Sequence, residues 1–437
     1  MKRIVVSVGL VALGTSGLQA DSLSSLTSES TKPWSVSATL RGFYDDNINT
    51  APGSGPLIYN GQYYHRSTFG FEVSPAFTVS WPWEQTTVTA GYTYSFKDNQ
   101  FVPVGNTDTV DMTHSFNLAL DHTFNELYRA RVSDSFVIGQ EPDFLRAGNT
   151  YSTYQRLSGS NIRNYGTATL NGTLTPLLGF EIGYQNALYR YSQDTVTPDP
   201  AFSPSWAGIL NRIEQTVHLD SRWTITPETI GVIGYQFADI DYTENQPIMD
   251  PALFNVPSNT RNNRGHYGYA GIDETFRPDL TGSVRVGARY TDYYNDPAVS
   301  GSVSPYVALS LRYIYDVESF AELGFTHDRA ASSLWGSGGL SGLTLDSDTS
   351  VVYGTVSHRL APGLYGSLIG QFQDSEYHGG QYNSEADRFY TLGANLEYRV
   401  NHYVSTQVGY NYDKLESDIA DRGFDRNRVY VGFTASY

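Results

Sequence analysis

Residues 212–225 read Arg-Ile-Glu-Gln-Thr-Val-His-Leu-Asp-Ser-Arg-Trp-Thr-Ile, and the two faces of this segment cannot share one kind of surroundings. In an extended chain successive side chains point to opposite sides. Ile213, Val217, Leu219, Trp223 and Ile225 then lie on one face, and Arg212, Glu214, Thr216, His218, Asp220 and Arg222 on the other. A water-soluble core does not accept that second face, because buried charge is costly unless it is paired. A sheet with lipid outside and a wet lumen inside accepts both.

The same alternation fills most of the chain. In Phe69–Trp81 the odd positions are apolar apart from Pro75, and in Thr87–Phe96 the even positions are apolar. Apolar residues are thus spread over every second position instead of clustering for a core. Short turns mark the register at Pro82-Trp-Glu, Asn125-Glu, Pro176-Leu, Pro227-Glu, Pro278-Asp, Val317-Glu, Ala361-Pro-Gly and Asn401-His. Proline and asparagine supply tight-turn geometry, and proline does not sit in a paired central strand. Eight short turns alternate with nine longer polar loops, such as 45–64, 140–160, 193–208 and 244–261. Seventeen connections predict an all-β, antiparallel up-and-down transmembrane barrel of about 18 strands, with 16 to 20 as the range if one hairpin is split or missed. A propeller shares such a period, but it buries both faces of its middle strands. Many of these strands exceed the ~10 residues that cross a membrane, so the wall is expected to project beyond the lipid.

The ends agree with this reading. Met1-Lys2-Arg3, the apolar run Ile4–Leu13 and the small residues before Asp21 form a secretory signal peptide, cut after Ala20. Residues 21–33 read as a flexible periplasmic lead-in and 34–437 as the barrel. In the last strand Val429, Val431, Phe433, Ala435 and Tyr437 share one face, a terminal pattern that resembles the signal taken up by the barrel-assembly machinery. The chain has no Cys, and a closed sheet, having no free edge, needs no disulfide staple.

Two segments carry a family resemblance. Trp34-Ser-Val-Ser-Ala-Thr-Leu-Arg-Gly-Phe-Tyr-Asp-Asp-Asn-Ile48 resembles the opening strand and loop of the putative beta-barrel porin-2 group of bacterial outer-membrane proteins. Arg131-Val-Ser-Asp-Ser-Phe-Val-Ile-Gly-Gln-Glu-Pro142 is similar to a later strand and loop of that group. The group includes barrels encoded near exopolysaccharide-synthesis genes. The resemblance implies a porin-like or glycan-related barrel of Gram-negative bacteria and no particular cargo.

Alternation places Arg41, Glu72, Arg129, Arg131, Arg212, Glu214, Asp220, Arg222, Arg285, Arg289, Arg312, Glu397 and Arg399 on the lumen face, as candidate pore-lining residues. Opposite charges on opposite walls would set up a transverse field that orients a polar solute. Pairing between neighbouring strands would merely keep the wall wet. The ladders Arg129/Arg131 and Arg285/Arg289 could also attract carboxylate or phosphate, which guanidinium forks bind bidentately. Among the 34 Tyr, outward ones such as Tyr92, Tyr184 and Tyr410 suit headgroup girdles. Inward ones such as Tyr189, Tyr267, Tyr269 and Tyr306 could stack on sugar rings, or only fill space.

Several function classes are disfavoured. The formal charge of −17, or −19 without Lys2 and Arg3, argues against nucleic acid. Acidic loop clusters such as Asp346/Asp348 and Asp413/Glu416/Asp418 could bridge to lipopolysaccharide through Ca²⁺ or Mg²⁺, but none has EF-hand spacing, so no metal or cofactor is expected. Neither H-E-x-x-H nor G-x-S-x-G occurs, and an enzyme is not expected. A TonB-dependent transporter is disfavoured because no plug domain precedes the first strand. The expectation is an outer-membrane, porin-like channel for passive diffusion of small polar solutes, with the loop 140–160 folded inward. The alternatives are a polysaccharide or oligosaccharide barrel and a non-conducting surface adhesin or scaffold. Lipid, lipopolysaccharide and the assembly machinery are the expected partners, with the oligomeric state open.

Overall fold

The computed structural model describes residues 32–59, 61–104, 108–139, 147–154, 156, 161–192, 206–244, 248, 256–334 and 343–437. Residues 1–20, read as a signal peptide, and nearly all of the expected lead-in lie outside this set. The first strands are β1 (Trp34–Asp45), β2 (Leu57–Tyr59), β3 (Gln62–Tyr64), β4 (Thr68–Pro82), β5 (Thr86–Asn99), β6 (Val110–Thr123) and β7 (Tyr128–Gly139). There follow β8 (Asn161–Thr173), β9 (Leu178–Tyr191), the one-turn helix α1 (Trp206–Leu210), β10 (Arg212–Thr224), β11 (Thr229–Tyr242), β12 (Asn263–Arg277) and β13 (Leu280–Asp292). The chain ends with β14 (Ser302–Asp316), β15 (Ser319–Ala331), β16 (Asp346–Ala361), β17 (Leu364–His378), β18 (Ala386–Arg399), β19 (Val404–Ser417) and β20 (Phe424–Ser436).

Except for the small hairpin β2–β3 inside the first long loop, every strand joins one 18-stranded antiparallel sheet. The sheet closes on itself: β1 pairs with β4 on one side and with β20 on the other, from Ser37 opposite Ser436 to Asp45 opposite Arg428. The result is the closed up-and-down barrel that the turn count predicts, with no exposed sheet edge.

The short turns form where the sequence places them, for local reasons. Asn125 Oδ1 accepts from the amides of Leu127 and Tyr128 at 2.8 and 3.0 Å, and Asn401 Oδ1 accepts from Tyr403 and Val404 at the same distances. Each side chain stands in for a backbone acceptor and closes its turn. Gly363, at φ +78, provides the left-handed residue in the turn between β16 and β17.

The exterior is where a soluble protein would keep its core. Leu219 is 53 % exposed, Ile233 64 % and Phe433 58 %, while Asp220 on the opposite face of β10 is 5 % exposed. Val429, Val431, Phe433 and Tyr437 are all exposed on this outer face, and their neighbours in β1 are backbone-paired to the last strand. Toward the long-loop end the outer face turns charged: Asp374 faces Arg388 at 3.5 Å, and Lys414 faces Glu416 at 2.7 Å. The wall therefore continues past the apolar band. Placing a charge within that band has a defined cost. Leu219→Arg is expected to reduce stability in lipid by about 2–4 kcal/mol, read as a lowered denaturant midpoint of the refolded barrel. An unchanged midpoint would place Leu219 outside the hydrocarbon.

Candidate functional site

The lumen divides into two zones along the strands. Near the short turns of β1, β7 and β18 the inward side chains stay accessible: those of Arg129 and Arg131 are 52 and 57 % exposed, Arg41 33 % and Arg399 39 %. On β10 and β13 they are covered there too, with Arg222 at 8 % and Arg285 at 3 %. Toward the long loops the inward side chains are covered, with Arg212 at 2 %, Arg289 at 3 % and Gln373 at 0 %. What covers them is loop, and the most consequential loop lies between β7 and β8.

The described part of that loop, 147–154 and 156, crosses the bore and docks on β17. Gly148 N donates to Gln371 Oε1 at 2.9 Å, and Gln371 Nε2 donates to Asn149 O at 2.6 Å. Two residues along, Gln373 Oε1 accepts from Tyr151 N at 2.8 Å while its Nε2 donates to Tyr151 O at 2.7 Å. Each glutamine amide thus offers the loop a donor and an acceptor, as a neighbouring strand would. Tyr154, 2 % exposed, packs on Phe389, Leu415 and Phe424, and its hydroxyl meets Ser375 Oγ at 3.1 Å. Burial pushes this hydroxyl well above the usual phenol range, so it stays neutral. At the other end Arg156 binds Asp111 of β6 at 2.5 Å, and the Ser152 hydroxyl accepts from Arg212 at 3.0 Å. The loop is strapped to walls on opposite sides of the sheet order.

A second set of loops packs over β9–β16. Ile209 and Leu210 of α1 join Ile248, Tyr293, Leu343 and Leu345 in an apolar cluster. Arg261 pins it: fully buried, it donates to Ile209 O, to Ser332 O at 3.1 Å and to Leu334 O at 3.4 Å, and its guanidinium lies 4.2 Å from the Tyr242 ring centre.

The thirteen residues read as lumen-facing sit on the inner face, but their charges pair locally. Arg41 faces Glu72 of the next strand at 3.8 Å. Arg129 and Arg131 share Asp121 at 3.0 and 2.9 Å. Arg212 binds Glu214 at 2.6 Å, and Arg222 and Arg285 hold Asp273 from both sides at 2.7 Å. Arg289 binds Asp328 at 3.2 Å, Arg312 binds Glu322 at 3.1 Å, and Arg399 lies 3.7 Å from Glu397 on its own strand. Asp220 accepts from Tyr269 at 2.6 Å. Of the two readings these pairs favour the local one: each Arg meets its carboxylate on its own strand, the adjacent strand or the next but one, where Coulomb attraction is strongest, and not across the bore. The two arginine ladders do not combine either, because β7 and β13 are six strands apart in the sheet. Arg285 and Arg289 are 3 % exposed and occupied by carboxylates, whereas Arg129 and Arg131 share a single one in the open zone.

Tyrosine pairing is equally local. The hydroxyls of Tyr267 and Tyr377 donate to Asp328 and Asp387 at 3.0 and 2.6 Å. These inward rings are therefore tied to the wall. Two histidines near the long-loop end are likewise held by the wall: His327 bonds Ser350 and His378 lies against Asp348. Among the described residues no group of three or more acids and histidines could hold a metal ion.

Sequence reasoning missed the residues that matter most for the bore. Gln371, Gln373 and Ser375 alternate on one face and read as ordinary polar lumen positions; only the fold brings a loop from more than two hundred residues away to them. Nor does the sequence join Asp45, which reads as a loop carboxylate, to Arg426, although the pair locks the seam between β1 and β20 at 2.5 Å.

The profile of the family described as "Putative beta-barrel porin 2" matches residues 236–437, just under half of the chain and apart from the two segments that carry the sequence resemblance. No curated protein matches the chain. Among solved structures, the outer membrane protein OpdK of Pseudomonas aeruginosa aligns at 10 % identity over 92 % of this chain and 99 % of its own, with a TM-score of 0.41. OccAB4 of Acinetobacter baumannii aligns at 12 % identity over 94 and 99 %, with a TM-score of 0.42. The siderophore receptor PirA of P. aeruginosa aligns at 11 % identity over 93 and 80 %, with a TM-score of 0.41.

Proposed function

We propose, with the porin-family match over residues 236–437 as premise, that the barrel is an outer-membrane channel for passive diffusion of small polar solutes. The observation that carries this reading is the strapped loop segment 147–154 and 156, which narrows a lumen that keeps Arg129 and Arg131 open to water near their short turn. A wall of paired charges presents donors and acceptors to a passing solute without holding it strongly, which is what passive conduction requires. The overall acidity does not set the field in the bore. Inward carboxylates such as Asp121, Asp273 and Asp328 are each matched by guanidinium groups, and acids such as Asp374 and Glu416 stand on the outer face.

The test is single-channel recording of the refolded mature protein under a KCl gradient. Ohmic steps support the reading; silence from a barrel verified as folded by its heat-shifted gel mobility favours a non-conducting surface protein. Within a conducting barrel, Arg129→Gln/Arg131→Gln leaves Asp121 without its cations and is expected to move the reversal potential toward cation preference. The Asp121→Asn change is expected to move it the other way. Equal reversal potentials in all three proteins would remove this wall from the solute path. A glycan barrel is a weaker reading, because the inward tyrosines Tyr267, Tyr269 and Tyr377 already spend their hydroxyls on wall carboxylates.

A further inference from the structure

The outer face of β7–β9 breaks the rule that the rest of the apolar band obeys. Register sets Asp134 opposite Leu118 of β6, and Phe136 opposite Phe116. Leu118 and Phe116 are each 46 % exposed on the exterior, so the Asp134 carboxylate shares the lipid-facing side. It is not at the rim. Val132 precedes it on this face, and Phe136 and Ile138 follow it toward the long loops, with Ile162 opposite Ile138 on β8.

Its surroundings are a small polar cluster. Asn164 Nδ2 donates to Asp134 Oδ1 at 2.8 Å. Gly166 stands opposite both Asp134 and Asn186, and a Cβ placed there would come within 3.3 Å of Asp134 Oδ1 and 4.0 Å of Asn186 Cβ. Beside the cluster an exterior groove of about 300 Å³ runs across β4–β7, lined by Phe77, Ala90, Tyr92, Phe116 and Leu118, with Asp134 at its edge.

Other polar groups on the outer face are handled differently. Tyr92 bonds His114 at 2.9 Å, Tyr235 bonds His266 at 2.8 Å and Tyr315 bonds His358 at 3.1 Å. Each of those pairs is closed within the sheet. Asp134 is a carboxylate, with room for about four hydrogen bonds. Acyl chains donate none, and charge facing hydrocarbon is expensive.

We propose that this face is a docking surface for a second copy of the same chain. The argument for that occupant is complementarity. The patch carries an acceptor, Asp134, whose bond from Asn164 leaves it further capacity, beside the amide of Asn186, and copies inserted in the same direction hold each residue at the same depth. Asp134 of one copy then meets the amides of the other at its own level. Gly166 lets the two walls approach closely, and the groove receives an apolar side chain from the partner wall. Because burial of the pair removes Asp134 from lipid, the contact is reciprocal and self-limiting, as a closed symmetric interface is.

The test is the mass of the refolded barrel in lipid nanodiscs and in mild detergent, by light scattering across protein concentration. The expected result is a dimer or larger closed oligomer for the unaltered chain. Asp134→Leu/Asn164→Leu is expected to shift it to monomer, with an apparent dissociation constant raised at least about tenfold. Asp134→Asn, which keeps hydrogen-bonding capacity, is expected to retain the oligomer, and Leu368→Ala on the far wall to leave it unchanged. Heat-shifted mobility reports whether each variant is folded. An unaltered chain that stays monomeric at every concentration overturns the proposal, as does an oligomer that the double substitution leaves intact in a folded barrel.

Discussion

Asp45→Ala is expected to lower the stability of the barrel by about 3–5 kcal/mol, the usual cost of stripping one partner from a buried ion pair. Both members of the Asp45–Arg426 pair are 0 % exposed. Arg426 reaches Asp45 through Nε at 3.2 and 3.1 Å and through Nη2 at 2.5 Å, a forked contact. The same carboxylate accepts from Asn47 N at 3.1 Å, which fixes the start of the first long loop. The location makes the pair more than one ion pair among many. It sits at the seam where the last strand meets the first, the one junction formed between residues nearly four hundred positions apart. Loss of the carboxylate leaves a guanidinium with no exposure to water at that junction. The check is the urea midpoint of the refolded protein, compared with Asp45→Leu/Arg426→Met. Removing both charges is expected to recover most of the loss, because the seam then buries neither charge of the pair. A single variant with an unaltered midpoint would mean that backbone pairing alone holds the seam.

Gln371→Ala/Gln373→Ala is expected to release the inward loop and enlarge the channel. The two amides make five hydrogen bonds to the loop, to Gly148, Asn149, Tyr151 and Tyr154. At about 1 kcal/mol each, their loss removes roughly 5 kcal/mol of docking free energy. Tyr154 keeps its apolar contacts with Phe389, Leu415 and Phe424, so release is incomplete and the loop exchanges between docked and free. Single-channel steps should grow about twofold or more and become noisier, since the narrowest part of the path is no longer fixed. Barrel stability should change little, because β17 keeps its ladders to β16 and β18. Steps of unaltered size and noise would show that the constriction lies elsewhere, for instance under the cluster around Leu210 and Tyr293.

The parts legible in the sequence are those governed by local chemistry. Period-two alternation assigned Leu219 and Trp223 to the outside and Asp220 and Arg222 to the inside, because a pleated strand admits no other arrangement. Asn125, Asn401 and Gly363 announced their turns, and counting turns against loops gave about eighteen strands, within 16 to 20, because an up-and-down barrel adds its strands in chain order. The length of loop 140–160 allowed it to fold inward, as its described residues 147–154 and 156 do, but nothing in the sequence marked their landing place on Gln371 and Gln373.

Charge pairing shows the limit most plainly. Arg131 and Asp121 lie ten residues apart on one hairpin, and their pairing follows from register once the turn is known. Arg222 and Asp273 are separated by β11, and Arg289 and Asp328 by β14, so each side chain reaches past an intervening strand to its partner. Such contacts depend on barrel curvature, which brings inward side chains together. Asp134 is the opposite case: alternation placed it outward, but only the neighbouring strands revealed that it stands among Leu118, Phe136 and Asn164 within an apolar wall. The sequence by itself determined which way each side chain points, since that depends on the strand alone. Tertiary structure decided what each side chain meets, because register and curvature join residues whose separation along the chain carries no signal of their contact.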